Sequence, residues 1–134
     1  MMTEKLTDLC EFFKIRAHAN AVDSNPNMES EMLDGSRHYK VRLFRMVDGK
    51  QRSLTVPFSQ GPAIKDPPTA ADVLSCLVSD ARLGDQSFED FCKELAYDSD
   101  SRRAERTWRA CSRMGSKVVA FLGDEFERFE KAEH

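Results

Sequence analysis

The stretch "HYKVRLFRMVDGKQRSLTVPFS", residues 38 to 59, constrains the fold of this chain more than any other. Asp48-Gly49 is a dipeptide that tolerates positive φ at two successive positions, as a type I′ turn requires. Apolar residues alternate away from it on both sides, which is the strand period. If Val47 pairs with Lys50, then Leu43 faces Leu54, Val41 faces Val56 and Tyr39 faces Phe58. Three apolar pairs then share one side of a sheet. Pro57 opposes Lys40 in that register. Proline has no N–H to donate, so residues 52 to 58 are expected to form an edge strand. A second alternating stretch, residues 14 to 22, carries Ile15, Ala17, Ala19 and Ala21 between polar residues. It is expected on the free side of residues 38 to 46, completing a three-stranded antiparallel sheet.

On either side of the sheet the period changes to three and four. Leu6, Leu9, Cys10 and Phe13 fall on one helical face, with Thr3 placed to cap it. The polar stretch at residues 23 to 37, with Asn25-Pro26 within it, reads as a long surface loop. After the proline-rich "QGPAIKDPP", Thr69 and Asp72 have the spacing of a capping box. Ala70, Val73, Leu74, Leu77, Val78 and Ala81 form the buried stripe of that helix, and Gly84 ends it. Ser87 caps the next helix, with Phe88, Phe91, Cys92 and Leu95 on its apolar face. Asp100 or Ser101 caps a longer one. Ala104, Trp108, Cys111, Gly115, Val118 and Leu122 line one side of it, and Gly123 stops it. A short charged helix with Phe126 and Phe129 closes the chain. The class expected is α+β: a sheet in the N-terminal half, with a C-terminal bundle of three to four helices packed on one of its faces. The 134 residues are read as a single domain, residues 1 to 60 giving helix plus sheet and 67 to 134 the helical part.

Bulk properties narrow the function classes. Charged residues make up 32% of the chain, which fits a globular protein, and the net charge of −3 is too mild to attract polyanions globally. No apolar run has the length of a membrane span, and the N-terminus has no secretory pattern. A cytoplasmic protein is expected, with no membrane partner. Cys10, Cys76, Cys92 and Cys111 are far apart, each is assigned to an apolar helix face, and buried reduced thiols are expected. His18, His38 and His134 have no cysteine at metal-ligand spacing, so no metal and no cofactor are called for. No nucleophile, phosphate-loop or metalloprotease motif is present, and no catalytic residue is assigned.

Two basic clusters remain. Arg102, Arg106, Arg109, Arg113 and Lys117 recur at helical spacing, about half a turn from the Trp108 stripe. They are either a solvated face or a ridge that docks phosphates or acidic protein groups, because guanidinium forks suit both. On the hairpin, Lys40 and Arg42 lie opposite the apolar face, and Arg45 and Arg52 sit across from each other near the turn. With Phe44, that surface has the ingredients of a single-strand binding face, though few of them.

The order "SNPNM", "HYKVRLFR...RSLTVPFSQG", "PPTAADVLSCLVSDA" and "SFEDFCKELAYDSDSRRAERTWRAC" resembles a family of small proteins encoded by bacteriophages and prophages. The resemblance spans residues from about 24 to 123. "DVLSCL", "SFEDFC" and "YDSDSRRAERT" are its specific segments. The chain departs from the pattern at Ala96, where a glycine commonly precedes "YD", and in a shorter linker around "ARLGDQ". The resemblance implies a non-enzymatic, anti-CRISPR-type inhibitor acting in the host bacterial cytoplasm. Such a protein binds a host defence protein or ribonucleoprotein and blocks its nucleic-acid recognition or cleavage. The alternative is a phage nucleic-acid-binding accessory protein using the basic helix 101 to 117. Either a monomer or a homodimer is expected.

Overall fold

The structure, a computed structural model, describes residues 3–22, 37–60 and 66–134. The elements run α1 (Leu6–Phe12), β1 (Arg16–Ala21), β2 (Arg37–Val47), β3 (Lys50–Gln60), α2 (Ala70–Gly84), α3 (Phe88–Leu95), α4 (Arg102–Leu122), a 3-10 turn (Gly123–Glu125) and α5 (Phe126–Lys131). The class is α+β, with the antiparallel sheet in the N-terminal half and the longer helices after it. Two compact units are distinguished, one of residues Thr7–Val73 and one of Met1–Leu6 with Leu74–His134. The expected surface loop lies outside the described residues, apart from Arg37, which already belongs to β2.

In the sheet unit the strand order is β1-β2-β3, with β2 central. The β2–β3 register is the one the apolar pairs demand: Val47 pairs with Lys50, Leu43 with Leu54, Val41 with Val56, Tyr39 with Phe58 and Lys40 with Pro57. Asp48 and Gly49 have φ of 52° and 79°, the two positive values of a type I′ turn. β3 is an edge strand, so the N–H missing from Pro57 costs no ladder bond. Ile15, Val41, Leu43, Leu54 and Val56 are buried. β1 brings Ala17 to Leu43 and Ala19 to Val41, which puts its alanines on the same side. Alanine fits there because it is the smallest side chain that keeps the face apolar.

The longer helices follow their caps. Thr69 and Asp72 form the reciprocal capping box, at 3.0 and 3.2 Å. The Ser87 hydroxyl accepts from the Asp90 N–H, and the Ser101 hydroxyl accepts from the Ala104 N–H. The α2 stripe is buried throughout. Cys76 departs from expectation. It is exposed, because its position is rotated about a third of a turn from the Leu74–Leu77 stripe. Phe91, Cys92 and Ala104 form a buried cluster, flanked by Leu83, Phe88, Trp108 and Cys111. Trp108 is half-buried; its ring lies 5.5 Å from that of Phe88, and its indole N–H donates to the Gln86 carbonyl at 3.0 Å. A tryptophan can be covered there because its one polar atom has a partner.

The N-terminal residues are fastened to the C-terminal ones, a pairing the sequence does not announce. The Leu6 N–H donates to the Glu133 carbonyl, and the Glu133 N–H donates to the Glu4 carbonyl, at 2.7 and 2.8 Å. Arg128 grips the Glu4 carboxylate with two nitrogens, which holds that carboxyl below its usual range.

Candidate functional site: two basic surfaces

The first surface is built on α4. Its 21 residues contain six Arg or Lys and one acid, Glu105, in a chain that is acidic overall. Ala104, Gly115, Val118, Phe121 and Leu122 are buried on one side. Gly115 packs close to Ala81 of α2: a β-carbon there would meet the Ala81 α-carbon at 3.1 Å. That close approach fixes α4 against its neighbour. Arg102, Arg106, Arg109, Arg113 and Lys117 are all exposed, as their half-turn offset from the buried stripe requires. Arg109 is braced by Glu105 at 2.7 Å, an i, i+4 pair. From Arg102 to Arg113 the ridge extends roughly 16 Å by helix rise. A hollow of about 600 Å³ beside α4 is lined by Gly84, Asp85, Ser112, Gly115 and Glu130 among others, and none of the ridge residues lines it.

The second surface is the outer face of the sheet. Lys40 and Arg42 are exposed there, as expected. Arg45 is a correction. It is 4% exposed, on the same side as Val41 and Leu43, and its guanidinium carbon lies 5.9 Å from the centre of the Phe13 ring. The cause is strand parity: residues 39, 41, 43 and 45 all point one way. Arg45 does pair with Arg52 in register, but Arg52 stays exposed near the hairpin tip. Arg45 therefore belongs to the interior, where its planar cation covers an aromatic ring. It is removed from the candidate surface.

Arg16 takes its place. The β1–β2 register sets Arg16 beside Phe44, His18 beside Arg42 and Asn20 beside Lys40, all on the outer face. The sequence contains the signal, because Arg16, His18 and Asn20 alternate with the alanines. Only the pairing register shows which residues of β2 they meet, and residues 22 to 36 separate the two strands in the sequence, too many for a two-residue hairpin to fix that register.

Among the described residues, no group of three or more His, Cys, Asp or Glu is placed to hold a metal ion. No described helix is long and apolar enough to cross a membrane. Comparison with protein-family models, with curated proteins and with solved structures gave no match.

Proposed function

We propose that this protein acts by binding, and that α4 presents its docking surface to an acidic patch on a protein partner. The observation that carries this reading is the concentration of exposed arginines on one face of a helix whose other face is packed. A fixed backbone limits the freedom each arginine gives up on docking, a cost of roughly 0.5–1.5 kcal/mol per side chain. Each exposed ion pair contributes up to about 1 kcal/mol, so the ridge has to engage several carboxylates together. With the resemblance to small phage-encoded proteins, the reading becomes an inhibitor that occupies a host defence protein or ribonucleoprotein in the bacterial cytoplasm. It would block nucleic-acid recognition or cleavage there by occupancy, without chemistry of its own.

The test is capture from a host lysate by the tagged protein, with and without nuclease. A second arm uses the chain with Arg102, Arg106, Arg109 and Arg113 changed to glutamine, which keeps helix propensity. The expected result is a protein partner that survives nuclease and is lost with the four-fold variant, while circular dichroism and melting stay near the parent's. Capture that disappears with nuclease, or that the variant leaves unchanged, overturns the reading.

A further inference from the structure

We propose that the outer face of the β-sheet is a separate binding surface for single-stranded nucleic acid. Of the seven Arg or Lys in the three strands, Arg16, Lys40 and Arg42 fall on that face, and the strands contain no Asp or Glu, within a chain of net charge −3. Such segregation has to be explained. Basic residues on edge strands often serve to prevent edge-to-edge pairing. Lys40 and Arg42 do not fit that role, since they lie on the central strand. They are exposed, with Arg16 on the neighbouring strand, and the strands supply no carboxylate to balance them. Like charges gathered on one sheet face repel unless an anion lies over them.

The spacing suits an extended polyanion. Arg42 and Lys40 are two residues apart on one strand, roughly 6.8 Å along its axis, and Arg16 is one strand over, about 4.8 Å across. The bases thus form a short diagonal track, with His18 beside it. Phe44 stands at one end of the track, directly across from Arg16 and half-buried, so part of its ring is available to a base. Ser53 and Thr55 of β3 lie opposite Phe44 and Arg42 and are exposed, adding hydroxyl groups along the same rows. A positively charged track next to an aromatic platform is how single strands are held without sequence preference. An acidic protein surface would satisfy the charges but would leave the aromatic position without a purpose. The inference uses none of the α4 ridge and stands or fails apart from it.

The experiment is fluorescence anisotropy of the full chain with labelled oligothymidine and oligouridine of about 12 nucleotides, within the span of one such surface. Binding is expected to weaken steeply with salt. Changing Arg16, Lys40 and Arg42 together to glutamine should lower affinity at least about tenfold and flatten the salt dependence. Phe44→Leu should lower affinity about fivefold or more and leave the salt slope unchanged. If the triple variant melts early, Arg42→Gln alone supplies the comparison, since that side chain is exposed. The glutamine variant of the α4 ridge should bind the oligonucleotides as the parent does. No binding at low salt overturns the inference. So does equal affinity for the matching duplex, or a triple variant that binds like the parent. Polyglutamate that competes as well as oligonucleotide, with Phe44→Leu silent, would assign the face to an acidic protein.

Discussion

Gly84 lies so close to the backbone of Cys111 that a β-carbon on it would sit 2.4 Å from the Cys111 carbonyl carbon and 2.4 Å from the Ser112 nitrogen. Backbone cannot swing aside as a flexible side chain does. The last residue of α2 is therefore held to glycine by packing against α4. Gly84→Ala is expected to destabilise by about 1–3 kcal/mol, the range for overpacking a close contact. A chemical denaturation curve measures it. A variant as stable as the parent would mean that α2 and α4 are not in that contact in solution.

The opposite change is expected to help at Ala96. α3 ends there in a left-handed residue, φ 56° and ψ 37°. The Tyr97 N–H reaches back to the Cys92 carbonyl at 2.9 Å, and the Ala96 N–H to the Lys93 carbonyl at 3.4 Å. This is the Schellman ending, whose central residue is usually glycine. A β-carbon in that region costs about 1–2 kcal/mol. Ala96→Gly relieves it but widens the unfolded ensemble, so the net gain should be about 0.5–1 kcal/mol. A rise in melting temperature of a few degrees is the expected reading; a fall contradicts it.

Those two positions show what was legible beforehand. Gly84 was visible as a helix end, since capping residues and periods are local signals, whereas Ala96 stood out only as a departure from the glycine that commonly precedes "YD". The hairpin register was legible to the residue because Asp48-Gly49 allows one pairing and three apolar pairs confirm it. Arg45 was misread because it was grouped by charge with Lys40 and Arg42 instead of by parity with Leu43. Arg16 was missed because its neighbour Phe44 is 28 positions away, across a connection too long in sequence for a two-residue hairpin to set the register. The fastening of Glu4 to Arg128, 124 positions apart, left no periodic trace at all.

Thiol chemistry should separate the four cysteines. Cys76 is exposed, Cys111 half-buried, and Cys10 and Cys92 buried. Burial pushes the Cys10 thiol up to about 11, and Arg16 only partly offsets it. Burial raises Cys92 too, helped by Asp98, and Cys111, helped by Asp80. Thiolate is the reactive form, so all three are slow at neutral pH. A chromogenic disulfide reagent should show one fast equivalent, abolished by Cys76→Ser, with Cys111 reacting slowly and Cys10 and Cys92 only in denaturant. Fast modification of Cys10 or Cys92 would contradict their burial.

Asp80 offers a pH test of packing. It is half-buried on α2, and burial raises its carboxyl above the ordinary value of 3.8. The folded chain therefore holds that proton more tightly than the unfolded one. Stability from this group is fullest below the ordinary value and declines as pH rises through the raised one. At neutral pH the ionised carboxylate is a liability. Asp80→Asn keeps the shape and removes the charge, so the variant should melt above the parent at pH 7. Lowering the pH should shrink the difference, and below the ordinary value it should vanish, because both chains are then neutral at position 80. Melting curves from pH 7 to pH 3 give the answer. A gap that stays constant would show that ionisation of Asp80 is not its cause, and a variant less stable at pH 7 would show that Asp80 gains more from its surroundings than burial takes away.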